Sequence, residues 1–270
     1  AGETLAAVGY DIFLGGKGAN QSVALAKAGA DVFHIGAFGK RDEHYLREMR
    51  EAGVNLNNIA LLETESGHAV VMVDNETGEN QIVLSGSANN KISKKQIESA
   101  LSNAKTTDWA LAQNETSLVH EFLVSAKEKG LKICYSAAPF VAKQTASLLP
   151  FTDLLVVNEG EANALIKFIN KDVLELGLPH LVITLGSKGA RYIGEEGDFF
   201  VSPFEVSPVD TTGAGDTFLG YLLASLSKGM SMEQALSYGS AAASLQITKQ
   251  GALAAIPSLQ EVETFIGENS

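Results

Sequence analysis

The chain is poor in cysteine, tryptophan and proline, with one, one and six in 270 residues. The lone Cys134 cannot close an internal disulfide, so no covalent staple is available and a reducing, cytoplasmic compartment is expected. Basic residues are also few, 20 against 32 acidic, for a formal net charge of −12. That balance argues against nonspecific nucleic-acid binding. No apolar run approaches the roughly eighteen residues of a spanning helix, so no membrane partner is expected. The opening Ala1-Gly2-Glu3-Thr4 lacks the basic-then-apolar pattern of a signal peptide. Internal repeats and low-complexity linkers are missing as well. What remains is an ordinary globular composition, 45% hydrophobic and 19% charged, long enough for one large α/β domain or two small ones.

Glycine is the exception, with 26 residues, clustered where apolar runs end. Asp31–Phe38 reads as a buried strand. Ala69–Asp74 and Gln81–Leu84, joined by the polar Glu76–Glu79, read as a β-hairpin. Beyond it, strands at Trp109–Gln113, Leu131–Tyr135, Leu154–Val157 and Leu181–Leu185 alternate with helices at Ser117–Lys129 and Glu159–Phe168. Continuous apolar strands between amphipathic helices imply βαβ units and a mainly parallel sheet covered on both faces. Long Ala- and Gly-rich helices follow at Gly215–Leu226 and Ser231–Ile247. The hairpin falls outside this alternation and reads as a small β lid at one edge of the sheet.

Two glycine turns carry the chemistry. In Val209-Asp210-Thr211-Thr212-Gly213-Ala214-Gly215-Asp216-Thr217, small residues lead straight into a helix. Bare backbone lets a ligand approach closely, and the first N–H groups of a helix have no internal partners, which makes an anion hole for a phosphoryl group. Asp216, in the first turn beside that hole, could accept the proton of an attacking hydroxyl, or could simply cap the helix. The second turn, Gly15-Gly16-Lys17-Gly18-Ala19-Asn20-Gln21, precedes an Ala-rich helix at Ser22–Gly29. It is not a Walker loop, because Gly18 follows Lys17, and Gln21 stands where a dinucleotide fingerprint has its third glycine.

The run DTTGAGDTF closely resembles the second signature of the ribokinase (phosphofructokinase B) family, and GGKGANQ resembles its first. The resemblance implies a three-layer α/β/α kinase domain over 1–270, with a β lid formed by about 1–14 and 67–86. It implies Asp216 as catalytic base, with Gly213, Ala214 and Gly215 forming the anion hole. It places the backbone of Gly16, Gly18 and Ala19, with Lys17 and Asn20, against sugar hydroxyls, and gives Glu115 a carboxylate role on the same sugar. Amide and ammonium donors suit a polyol, which offers mostly oxygen lone pairs.

On the nucleotide side, Asn158-Glu159-Gly160-Glu161 resembles the family's N-x-x-E element, with Glu161 holding Mg²⁺ through water; a plain N-cap at Asn158 is the alternative. Thr184-Leu185-Gly186-Ser187-Lys188-Gly189 resembles the stretch that lines the nucleotide, together with Gly215, and Ser240 falls near the adenine or ribose. Asp210, Thr212, Gln246, Lys249, Gly251 and Ala255 align with a K⁺ site, although Ala255 stands where relatives often have serine. The implied reaction moves the γ-phosphoryl of ATP to a primary alcohol of a sugar, D-ribose before other sugars or nucleosides, in a homodimer joined through the lid.

Three departures stand against the pattern. The family usually opens with a strand carrying Asn-x-Asp that grips the sugar, about two dozen residues before a stretch like Gly2-Glu3-Thr4. Its loss would remove a strand from the middle or edge of the sheet and favours a second reading, a non-catalytic nucleotide-binding relative. Ser136-Ala137-Ala138-Pro139 replaces N-P-A-P, and Gly39-Lys40-Arg41-Asp42 lacks a trailing glycine.

Overall fold

The computed structural model describes residues 8–73 and 80–269. The apolar runs form ten strands among these residues: β1 (Phe33–Gly39), β2 (Asn55–Leu62), β3 (His68–Val73), β4 (Asn80–Ser85), β5 (Trp109–Ala112), β6 (Lys132–Ser136), β7 (Leu154–Asn158), β8 (His180–Thr184), β9 (Ala190–Gly194) and β10 (Gly197–Val201). The helices are α1 (Lys17–Lys27), α2 (Leu46–Glu51), α3 (Lys94–Leu101), α4 (Val119–Glu128), α5 (Ala142–Leu148), α6 (Glu159–Ile169), α7 (Ala214–Ser227), α8 (Met232–Gln246) and α9 (Leu259–Glu268). Four of them begin with reciprocal capping boxes, Ser93 with Gln96, Asn158 with Glu161, Ser231 with Gln234 and Ser258 with Glu261, which satisfy the orphan amides of the first turn.

The main sheet has six strands in the order β10-β9-β8-β7-β6-β5. The steps from β5 to β8 are parallel, and β9 and β10 close one side antiparallel. Successive residues of a strand face opposite layers. Thus Ile133, Tyr135, Leu155 and Val157 pack with Leu123 of α4, Leu148 of α5 and Leu165 of α6. Their neighbours Cys134, Leu154 and Val156 pack on the other face with Leu219 and Leu222 of α7 and Leu236 of α8. Burial on both faces explains why these strands are unbroken apolar runs, and it gives the three-layer α/β/α architecture expected from the sequence.

β1 and β2 form a separate parallel pair. The break between this pair and β5 lies inside the layered body. Ala37 of β1 shares a core with Ala110 and Ala112 of β5, and both strands line one continuous cavity of about 3150 Å³. Among the described residues no strand bridges the gap between β1 and β5. α3 covers part of it, with Gln96 donating to the carbonyls of Gly36 and Asn58.

The hairpin β3–β4 pairs as expected, and six of its apolar side chains, Val70, Val71, Met72, Ile82, Val83 and Leu84, remain 46–62% exposed. The turn expected at Glu76–Glu79 and the first seven residues of the expected lid lie outside the described residues. Two features differ from the sequence reading. α1 begins at Lys17, not Ser22, because Gly16 at φ 96° starts the helix and Asn20 already donates back to its carbonyl. The antiparallel pair β9–β10 was not anticipated, since its mixed polar pattern hides the alternation. No helix among the described residues is long and apolar enough to cross a membrane.

Candidate active site

Asp216 opens α7 one residue past Gly215, and only 8% of it is exposed. Gly213 is the N-cap at φ 78°. The amide of Ala214 bonds to the carbonyl of Thr211 and that of Thr217 to Gly213. The amides of Gly215 and Asp216 have no partner within the helix, as its first turn requires. A Cβ at Gly215 would meet nothing within 4 Å, so the turn presents open backbone. The 14-residue helix behind it adds the positive end of its dipole.

α1 crosses α7 at close range, and this brings the two glycine turns together. Asn20 Nδ2 donates to Asp216 Oδ2 at 2.9 Å, and Gln21 Nε2 to Asp216 Oδ1 at 2.8 Å. Gln21 Oε1 in turn accepts from Gln113 Nε2, just past the end of β5. Burial pushes the Asp216 carboxyl above the usual aspartate range, against the opposing pull of Asn20, Gln21 and the Lys17 charge. Asn20 is 6% exposed, and its Oδ1 is buried with no partner among the described residues.

Glu115 joins the same cluster. Its Oε2 accepts from the Lys17 amide at 2.9 Å and lies 3.7 Å from where a Cβ of Gly16 would stand. Its carboxyl is also raised, first by burial and also by Asp216, while Lys17 opposes. By sequence alone Glu115 could as well be a solvated loop charge; here it is a partly buried group on the first turn of α1. Gly18 completes the wall, within 3.4 Å of both Gln113 and His34 for an added Cβ. Gly16, Lys17, Gly18, Ala19, Asn20, Glu115 and Asp216 therefore converge, and they do so beyond the C-terminal end of a strand, where open α/β sheets bind ligands.

The remaining candidates lie further along the chain. Asn158 and Glu161 cap α6 directly after β7: Asn158 Oδ1 accepts from the Glu161 amide and Glu161 Oε2 from the Asn158 amide. This leaves Glu161 one carboxylate oxygen without a partner among the described residues. Thr184 to Gly189 turns sharply after β8, with Gly186, Ser187 and Lys188 exposed. Ser240 is buried, and its hydroxyl donates to Ser202 O. Asp210 accepts from the amides of Thr212 and Gly251, which hold its carboxyl below the usual range. Gln246 donates to the carbonyls of Thr212 and Ala252, and its own Oε1 is buried without a partner among the described residues. Lys249 turns its ammonium to Glu261, and Ala255 is buried.

Gln21 and Gln113 are the site residues that the sequence reading missed as such. A glutamine in the buried stripe of an Ala-rich helix was the available signal.

The family model for pfkB carbohydrate kinases matches residues 1–259. Among curated proteins, the ribokinase of Bacillus subtilis is 34% identical over 98% of this chain and 92% of its own length. Among solved structures, the ribokinase of Thermotoga maritima superposes with a TM-score of 0.87 at 31% identity, covering 98% of this chain and 92% of that one. The ribokinase of Arabidopsis thaliana, solved with ribose and ATP, gives 0.85 at 27% identity, covering 98% and 91%. With a family model spanning nearly the whole chain and signatures that meet in one site, the chain belongs to the pfkB family of carbohydrate kinases.

Proposed function

We propose that the chain transfers the γ-phosphoryl group of ATP to a primary hydroxyl of a pentose, with D-ribose to ribose 5-phosphate as its main reaction. The buried Asp216 carboxylate carries this reading, because it sits between the free amides of α7 and a wall of polyol-binding groups. The acceptor hydroxyl donates to Asp216. As its oxygen bonds to the γ-phosphorus and the bond to the leaving ADP oxygen breaks, the proton passes to the carboxylate. A pKa above the ordinary value makes Asp216 a better match for that transfer. In the turn from Gly213 to Gly215 the Gly215 amide faces the charge that builds on the moving group, while that of Ala214 also holds the Thr211 carbonyl.

Asn20 Oδ1 accepts a sugar hydroxyl there, since a buried carbonyl oxygen without a donor is costly unless a ligand supplies one. Lys17 and the backbone from Gly16 to Ala19 donate to sugar oxygens, and Glu115 accepts from them. The nucleotide lies along Thr184–Gly189, with Asn158 and Gly215 at its phosphates and Ser240 near its nucleoside end. Bound Mg²⁺ would neutralise phosphate charge, and the free oxygen of Glu161 fits a metal-bound water. The unpaired Gln246 Oε1, beside Asp210, Thr212, Lys249, Gly251 and Ala255, fits a hard cation such as K⁺.

One kinase domain over 1–270 with the β3–β4 hairpin as lid accommodates these assignments. The exposed apolar residues of the hairpin suit a second copy of the chain, and the lone buried Cys134 suits a cytoplasmic setting. The second reading is a nucleotide-binding relative with weak turnover. ATP-dependent phosphorylation over a panel of sugars and nucleosides, with and without K⁺, separates the two. Ribose turning over fastest supports the proposal, and another preferred acceptor moves the substrate; no product with any acceptor defeats the kinase reading.

A further inference from the structure

We infer that Gln21, held by Gln113, is a positioning residue that fixes the rotamer and the charge of Asp216. The inference deepens the proposed role of Asp216 as base and rests on it. Gln21 is 1% exposed, and its Nε2 donates to Asp216 Oδ1 while Asn20 Nδ2 donates to Oδ2. An ionised carboxylate only accepts, so the Gln21 amide must turn its NH₂ group to Asp216 and its oxygen away. That oxygen meets the NH₂ group of Gln113, which leaves one orientation in which all three side chains are satisfied. Gln113 itself follows β5 directly, and its neighbour Asn114 is tied down by Tyr135 and Gln144. The relay thus links the first turn of α7 to the central sheet through α1.

Gln21 and Asn20 do different work. Asn20 Oδ1 has no donor among the described residues, so its amide serves the acceptor sugar as well as Asp216. Gln21 has both ends committed to protein, so it holds the carboxylate whether or not sugar is bound. The charged group acting on Asp216 is Lys17 from α1, which favours its ionised form, while Asp216 in turn helps to raise the Glu115 carboxyl on the loop after β5. Removing the Gln21 donor leaves desolvation less opposed, so the carboxyl holds its proton to higher pH and its side chain gains freedom.

The test compares wild type with Gln21→Met, which keeps the volume and loses the amide, and with Gln113→Met, which frees the Gln21 amide to rotate. The expected result for Gln21→Met is a loss of about tenfold in kcat with KM for the sugar within about twofold, and an acid limb of the kcat–pH profile moved up by about half to one pH unit. Gln113→Met shifts both in the same direction by less. Titration of the Asp216 carboxyl by ¹³C NMR, identified by the signal lost in Asp216→Asn, gives the same shift without turnover and covers a variant or a chain of low activity. Unchanged kcat and an unmoved limb in folded Gln21→Met overturn the inference. Should Gln21→Met not fold, an unmoved carboxyl midpoint in Gln113→Met does so. If Asp216→Asn itself retains the wild-type rate, the base assignment falls; if it is inactive while both glutamine variants behave as wild type, only the positioning role falls.

Discussion

A Cβ on Gly220 of α7 would stand 2.3 Å from the Cβ of Ala24 on α1, so the two helices touch at a point that admits no side chain. Gly220 lies one turn beyond Asp216, and Ala24 one turn beyond Asn20. Residues four apart share a helix face. The close crossing therefore sets the separation at which Asn20 and Gln21 reach Asp216, and the placement of that carboxylate is decided at a contact of two small residues.

Gly220→Ala should push α1 from α7. Backbone atoms of Ala24 and Leu25 lie 3.0 Å from the added carbon, so the strain cannot be relieved by a side chain alone. A stability loss of about 1–3 kcal/mol is expected in urea unfolding. Residual kcat at a temperature where the variant is fully folded should fall further than the population of folded protein explains. A variant that unfolds early yet turns over normally would separate the crossing from the site.

Asp216→Asn should lower kcat by roughly 10²–10⁴-fold, the usual worth of a general base. In the wild type the acid limb should lie above the ordinary aspartate value, because burial raises the carboxyl and only its ionised form accepts the proton. A limb at or below that ordinary value would place the essential ionisation elsewhere.

His34 should make the fold acid-sensitive well above the carboxylate range. Its ring shares a hydrogen bond with Ser22 Oγ at 2.8 Å, and burial holds its pKa down at about 4. The unfolded chain takes up this proton near the ordinary 6.5. Stability from the neutral ring is thus fully present above 6.5 and lost as pH falls toward 4, on the order of 1–3 kcal/mol. His34→Gln should flatten that part of a plot of Tm against pH, and an identical slope in the variant would assign the loss to other groups.

Gly189→Ala and Gly186→Ala should differ in size. Both glycines have positive φ, 90° and 59°, but a Cβ on Gly189 would lie 2.1 Å from Val201 O, whereas Gly186 has open space. The first change should cost at least about 2–3 kcal/mol, and the second about 1 kcal/mol. Tm and KM for ATP measured side by side check this, with the larger rise in KM expected for Gly189→Ala if the turn carries the nucleotide.

Glu115→Gln removes a carboxylate while keeping an acceptor for the Lys17 amide. KM for the sugar should rise about tenfold, with a smaller change in kcat, as for a group that binds ground and transition states alike. A change confined to kcat would instead make Glu115 part of the proton-transfer machinery.

Local pattern alone gives the order of strands and helices, the cover on both faces of the sheet, and the two glycine turns, because each is set by residues within one turn or one strand of each other. DTTGAGD before an apolar helix already implies an anion hole with a carboxylate beside it. Asn158 was open between capping and ligand binding, and the reciprocal bonds with Glu161 make the cap a fact while leaving one oxygen for a ligand. The extent of α1 was misjudged because Gly16 and Gly18 read as loop, although Gly16 serves as the start of the helix.

Tertiary structure alone decided the rest. Lys17 of α1 meets Glu115 of the loop after β5 across 98 residues, and Asn20 meets Asp216 across 196, the second contact depending on how closely two small-residue helices can cross. It also decided that β1 pairs in parallel with β2 and that the main sheet runs from β10 to β5, since strand order is a matter of long-range pairing that no single strand encodes. The sequence determined which groups could do chemistry; the Gly220–Ala24 crossing, fixed by excluded volume, determined that they stand within hydrogen-bond reach.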